Sequence, residues 1–162
     1  MNKLIALLMI PFTALTLSGV AGVAQAAGDY LVVKSKQGNF EDVRDDLVNA
    51  IEGRGIKINH TNYIAEMLER TGKDLGATKQ VYLKGEQVEF CKSNLSRAQM
   101  EADPANMAFC PYIISIYTTP ADANKVYVAY RKQLAPGASK ATQKALKDIE
   151  KLLEEIAMEA VE

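Results

Sequence analysis

Residues 112–131 read YIISIYTTPADANKVYVAYR, and the fold class turns on this stretch. Tyr112 to Tyr117 is a dense run of β-branched and aromatic side chains, which suits a pleated, half-buried surface. Pro120 to Asn124 supplies turn residues. Beyond them Val126, Val128 and Tyr130 alternate with Tyr127, Ala129 and Arg131, the period-two pattern of a strand with one buried face. Two strands joined by so short a turn form a hairpin, and a hairpin here argues for antiparallel pairing in the sheet.

Upstream, Tyr30 to Lys34 is apolar enough for a first strand, and Gly38-Asn39 opens a helix. Asn39 is a good N-cap, with Glu41 and Asp42 in the first turn, where the helix dipole favours anions. Phe40, Val43, Leu47 and Ile51 recur at helical spacing and face the core, while Glu41, Arg44, Asp45 and Glu52 face water. Gly53 and Gly55 stop this helix. Ile56, Ile58 and His60 alternate with Lys57 and Asn59 as in a half-buried strand. Ile64, Met67, Leu68 and Thr71 mark a second helix ending at Gly72.

Val81 to Leu83 and Val88 to Phe90 flank Lys84-Gly85-Glu86-Gln87, a pattern that reads as a hairpin or as one long bulged strand. Ser93 or Asn94 caps a third helix through Leu95, Ala98 and Ala102, closed by Asp103-Pro104. The order β-α-β-α-β-α-β-β predicts an α+β fold, a two-layer α/β sandwich with a mostly antiparallel sheet.

Gln133 to Ser139 reads as a linker (133–139) between this sandwich domain (27–132) and a C-terminal amphipathic helix (140–162). Ala145, Leu146, Ile149, Leu152, Leu153, Ile156 and Ala160 share one face of that helix. The face packs on its own domain or forms a dimer or partner surface; the pattern fits both.

The N-terminus has the form of a secretory signal peptide (1–26). Lys3 supplies the positive charge, Leu4 to Leu17 is almost wholly apolar, and Ala24-Gln25-Ala26 is a small-x-small cleavage site. Pro11, Thr13, Thr16 and Ser18 break the apolar run, which disfavours a retained membrane helix. No cysteine lies near the cleavage site to carry a lipid. Cleavage after Ala26 is expected to release a periplasmic or secreted bacterial protein without a membrane anchor. The whole chain has 162 residues, 48% of them hydrophobic, with 19 basic and 20 acidic side chains. So balanced a charge gives no field to hold a phosphate backbone, which argues against a nucleic-acid partner.

Cys91 and Cys110 are the two cysteines of the chain. In an oxidising compartment a disulfide is the default, and closing a loop of this length stabilises by about 3 kcal/mol in the chain-entropy model. A reactive reading stands beside it. Cys91 precedes a predicted helix N-terminus and is followed by Lys92, two features that lower a thiol pKa, and Cys110 would then be the resolving thiol. A third reading is a soft copper site built from His60, Cys91, Met100, Met107 and Cys110, although methionines at such spacing are more often core filling. His60 is the single histidine, and by itself it reads as a hydrogen-bonded strand-end residue. The sequence lacks a G-x-S-x-G elbow, a dinucleotide or phosphate loop and an H-E-x-x-H motif, so no catalytic residue is assigned and no cofactor is expected. Asn59-His60-Thr61 and Asn94-Leu95-Ser96 match glycosylation sequons, expected to stay unmodified in a bacterial chain.

The series Gly38-Asn39-Phe40-Glu41-Asp42-Val43 and Gly55-Ile56-Lys57-Ile58-Asn59-His60 resembles the opening of the domain of unknown function 302 family, in which a short helix leads into a strand ending in Asp-His. Asn59 stands here in place of the acidic residue. Met100-Glu101-Ala102-Asp103-Pro104, Phe109-Cys110-Pro111-Tyr112 and Val126-Tyr127-Val128-Ala129-Tyr130 look like that family's helix, its Pro-led strand and its terminal V-x-V-x-Y strand, over about residues 35 to 131. The resemblance implies a small α/β sandwich, often dimeric, without an assigned activity. His60 and Pro111 match its pattern. Cys91 and Cys110 look like an addition of an extracytoplasmic subgroup, since Lys92-Ser93-Asn94 stands where typical members place Asn-Pro.

Three functions follow as expectations. The first is a non-enzymatic exported binding or accessory protein with a pocket near His60, Asn94, Pro111 and Tyr112, taking a small ligand or a periplasmic protein partner, and forming a homodimer in one variant of this reading. The second is a thiol-based redox or sulfur-handling accessory using Cys91 and Cys110. The third is a copper- or haem-handling protein.

Overall fold

The computed structural model describes residues 29–162, so the expected signal peptide lies outside the described residues. The elements run β1 (Leu31–Gln37), α1 (Phe40–Glu52), β2 (Ile58–Asn62), α2 (Ile64–Asp74), β3 (Lys84–Phe90), α3 (Ser93–Ala102), a 3-10 helix (Pro104–Phe109), β4 (Tyr112–Thr119), β5 (Asp122–Arg131) and α4 (Lys140–Glu159). Five strands form one antiparallel sheet in the order β1-β5-β4-β3-β2.

The β4–β5 hairpin is present with a tighter turn than the sequence suggests, because Asp122 pairs with Thr119 and Asp122 to Asn124 belong to β5. Tyr112, Ile114, Ile116, Val126, Val128 and Tyr130 are buried on one face together with Val88 and Phe90 of β3. Against that face lie Phe40, Val43, Leu47 and Ile51 of α1 and Leu146, Ile149, Leu153 and Ile156 of α4. Each such aliphatic side chain contributes roughly 1.5–3 kcal/mol relative to exposure, so this layer carries most of the apolar stabilisation. Asn39 caps α1 as expected, its Oδ1 accepting from the N–H of Glu41 at 2.7 Å. The chain leaves α1 through Gly53 and through Gly55 at φ +66°, a left-handed conformation that favours glycine.

α4 places its apolar stripe in the core of its own sheet, with Leu146, Ile149, Leu153 and Ile156 fully covered. The linker reading therefore describes a loop inside one packed unit, and the stripe is not free to bind a partner.

Four local readings differ from the structure. Of the two readings of Lys84 to Gln87 the hairpin fails and the single strand holds, because Lys84 to Phe90 pair without a break with Thr118 to Tyr112 of β4; the strand is shorter than expected, since Val81 to Leu83 lies outside β3. Lys92 rather than Ser93 or Asn94 is the N-cap of α3, and the cap has no side-chain hydrogen bond. α3 buries Ser96 and Gln99, whereas Leu95 and Ala102 are half-buried and Ala98 is exposed; the buried face is polar because its groups bond to one another. β2 carries an irregularity between Ile58 and His60. That bulge breaks the alternation the sequence suggests, and His60 is exposed rather than half-buried.

Candidate functional site

With α1 and α4 packed on one face of the sheet, the strand register defines what the other face presents. Period two and the pairing place His60, Glu89, Ile113, Arg131 and Leu31 in one row across the five strands. Asn62, Gln87, Ser115, Ala129 and Val33 form the next row, and Gly85, Tyr117, Tyr127 and Ser35 the third. The side chains bond among themselves. Asn62 Nδ2 donates to Glu89 Oε1 at 2.5 Å and Gln87 Nε2 donates to Ser115 Oγ at 3.3 Å.

The third row is aromatic. The Tyr117 and Tyr127 rings stack at 5.0 Å and 10°, and Tyr82 meets Tyr117 edge-on at 5.2 Å. Lys125 Nζ lies 5.3 Å from the Tyr127 ring centroid, within cation–π range. Burial, followed by the neighbouring Tyr82 and Tyr127 hydroxyls, raises the Tyr117 pKa above the usual phenol value.

α2 covers one end of this face. A Cβ on Gly85 would lie 3.6 Å from the Ala65 Cβ and 3.5 Å from Tyr82 Cγ, which shows how closely the helix and the returning chain sit on β3. Yet α2 has no fully buried residue, and Met67, Leu75, Val81 and Leu83 are exposed apolar side chains around it. Between α2 and residues 75–83 runs a groove of about 500 Å³, lined by Ala65, Leu68, Leu75, Val81, Tyr82 and Leu83 with Lys73 and Lys79 among its polar groups. Tyr82 belongs to both the groove wall and the aromatic row. A smaller crevice of about 240 Å³ lies beside it, with Glu41, Glu66 and Glu86 in its wall. There the Glu86 carboxyl is pushed above the usual range, first by burial.

The expected pocket residues are not brought together. His60 stands on the uncovered face opposite Glu89, whereas Tyr112 is buried on the core face. Asn94 is exposed in the first turn of α3, and Pro111 is exposed just before β4. The Tyr112 hydroxyl is within 3.0 Å of Ser96 Oγ and donates to Gln99 Oε1 at 3.5 Å. Asn106 continues this buried network, its Nδ2 donating to the Gln99 carbonyl at 2.7 Å and to Thr142 Oγ1 at 3.1 Å. Tyr112 is thus a structural tie between α3 and the sheet.

Cys91 and Cys110 form a disulfide with Cα atoms 6.6 Å apart. It joins the end of β3 to the start of β4, strands already paired at Phe90 and Tyr112, and so closes the α3 excursion at its base. Both sulfurs are committed to this bond. Met107 is 65% exposed on the 3-10 helix, and Met100 is half-buried on α3. Among the described residues no group of three or more His, Cys, Asp or Glu side chains is arranged to hold a metal ion. The tyrosines and the groove were missed by motif reading. Their one signal was that the hairpin carries Tyr117 and Tyr127 at its outward positions, where a purely solvated face would carry charge.

A family model described as domain of unknown function DUF302 matches residues 31–159, a span that includes α4 as well as the strands. The crystal structure of an uncharacterized conserved DUF302 protein from Bacillus stearothermophilus superposes with a TM-score of 0.69 at 12% sequence identity, covering 82% of this chain and 99% of that one. At that identity the likeness shows the fold. No curated protein matches the chain.

Proposed function

The chain belongs to the DUF302 family, and we propose that within it this protein is a small exported binding or accessory protein that holds a mainly apolar ligand in the groove between α2 and residues 75–83. The groove carries the reading. Its volume of about 500 Å³ lies in the range of small-molecule sites. Its apolar wall is α2, a helix with an apolar stripe and no buried residue, which is the arrangement expected where a ligand completes the packing. Glu66 and Glu69 share the lining with Lys73 and Lys79, and Lys73 lies 3.4 Å from Glu69, so Lys79 is the cation that would meet an amphiphile's acidic head group. Export is supported by the leader-like first 26 residues and by the disulfide, a bond that persists in oxidising compartments.

Dodecanoate is a suitable probe, being apolar, anionic and small enough for the groove. Calorimetric titration of the protein is expected to give one saturable site, weakened at least tenfold by Leu68→Glu or Val81→Glu and unchanged by His60→Ala. Absence of saturable binding, or equal binding by the groove variants, contradicts the reading.

A thiol-based role is the second reading, favoured by the half-exposed Cys91 beside the uncapped start of α3 and by Ser96 Oγ at 3.7 Å from Cys110 Sγ. It requires that a dithiol reduce the bond in the folded protein. Resistance to tris(carboxyethyl)phosphine under native conditions eliminates it.

A further inference from the structure

We propose that the groove ligand is an acid built on a planar aromatic ring, and that Tyr82 is the residue that selects the ring. This rests on the groove reading above and names the chemical class that the groove takes.

Among the described residues Tyr82 is the one aromatic side chain of the groove lining, whose other large apolar members, Leu68, Leu75, Val81 and Leu83, are aliphatic. Its ring is held from behind. Tyr117 meets it at a centroid distance of 5.2 Å and 60°, Tyr127 stacks on Tyr117 at 5.0 Å and 10°, and Lys125 Nζ ends the row 5.3 Å from the Tyr127 centroid. Beneath it β3 carries Gly85, where a Cβ would stand 3.5 Å from Tyr82 Cγ, so the base of the ring rests close on the strand backbone.

In an edge-to-face contact one ring gives its rim and the other gives one face. Whichever way round Tyr82 and Tyr117 meet, at least one face of Tyr82 is left unused by Tyr117. Tyr82 is half-buried, and a ring already fixed by its neighbours costs a ligand little to order. An alkyl chain fills the aliphatic wall equally well without it. A planar ring gains from Tyr82 an aromatic contact beyond the area it buries.

The course of the chain places the acid. The Ala77 N–H donates to the Gly72 carbonyl at 2.8 Å where the chain turns back from α2, and Tyr82 lies beside Gly85, which also meets Ala65 at the start of α2. Residues 77–83 therefore return alongside the helix, with Tyr82 towards the Ala65 end and Lys79 nearer the turn. Glu66 stands at the Ala65 end and lines the neighbouring crevice together with Glu41 and Glu86, so an acid is disfavoured there. Lys73 is taken by Glu69 at 3.4 Å, which leaves Lys79 for the carboxylate. Three residues of chain span at most about 10 Å, a distance that a fused two-ring acid and the lysine side chain bridge together.

Naphthalene-2-carboxylate and its saturated counterpart decahydronaphthalene-2-carboxylate, alike in charge and close in size, are the probes, titrated calorimetrically into the protein. The aromatic acid is expected to bind about fivefold more tightly, and its ring protons to move upfield in NMR spectra on binding. Tyr82→Leu is expected to bring the two acids to equal affinity and to remove the upfield shift. Tyr82→Phe is expected to keep both effects, and Lys79→Gln to weaken the two acids alike. Equal binding of the two acids by the wild type, or a preference that survives Tyr82→Leu, overturns the proposal and leaves the groove reading standing. If neither acid nor dodecanoate saturates a site, the groove reading fails and the proposal with it. Should Tyr82→Leu fail to fold, the wild-type preference and the ring-proton shift decide.

Discussion

Glu154 of α4 accepts hydrogen bonds from Lys34 Nζ of β1 at 2.5 Å and from the Tyr130 hydroxyl of β5 at 2.6 Å. One carboxylate thus fastens the C-terminal helix to two strands. The Lys34 bond, then the Tyr130 bond, hold the Glu154 pKa below its usual 4.5. A depressed carboxylate pKa contributes stability that is present above the unfolded value and is lost as pH falls through the folded one. Glu154 is 43% exposed, so the ion pair itself is worth little, and the phenol bond carries most of about 1 kcal/mol. Glu154→Ala is expected to lower Tm by roughly 4 °C at pH 7, with the gap to wild type closing only as the pH falls below 4.5 and through the lowered folded value, measured by thermal melts across pH. Asn39 was legible from sequence because a cap depends on local chemistry alone, and Asn39→Ala should cost about 1 kcal/mol in urea denaturation. His60 was not legible. Its face depends on a bulge opposite β3, and register is a property of two strands that neither one encodes in its own pattern.

At the level of elements, α4 and α2 are both amphipathic by sequence, yet α4 buries eight residues and α2 none. Periodicity predicts a helix and the face it would bury, but not whether an apolar surface is there to receive it. α4 meets the core face of the sheet. α2 meets the edge of the opposite face through Ala65 over Gly85. Hydrogen exchange should therefore show α2 amides exchanging at least about 100-fold faster than those of Ile149–Ile156, and equal protection contradicts this packing. The disulfide closes a separation of 19 residues around α3. Replacing both cysteines by serine is expected to cost about 3 kcal/mol of unfolding free energy. The strands β4 and β5 were legible because β4 alternates strictly and Val126, Val128 and Tyr130 share one face, although Ala129 is buried too and Asp122 to Asn124 extend β5 into the expected turn. α3 was misread because its inward positions are Ser96 and Gln99, which a hydrophobic pattern assigns to solvent and which a network ending at Thr142 of α4 makes satisfactory in the interior.

The whole molecule is a five-stranded sheet with α1 and α4 on one face, a disulfide at the base of its α3 excursion and an aromatic, groove-bearing surface on the other. The α+β class and the element order could be read from sequence because the β4–β5 hairpin and the helical spacings are local. The candidate site could not, since it is assembled from α2, residues 75–83 and the outward positions of β3, β4 and β5, which come together only through the sheet order. The proposed function makes the protein an exported scaffold, stapled by its cysteines, that acts through a ligand and not through its thiols. Native and denaturing mass spectrometry of the protein taken from the extracytoplasmic fraction without reductant tests it most directly. The predicted result is a chain beginning at Ala27, two hydrogens lighter than the dithiol and refractory to alkylation, carrying a small molecule that leaves on denaturation and is missing from Leu68→Glu. A chain retaining its first 26 residues, free or sulfur-adducted cysteines, or a ligand that survives the groove substitution contradicts it.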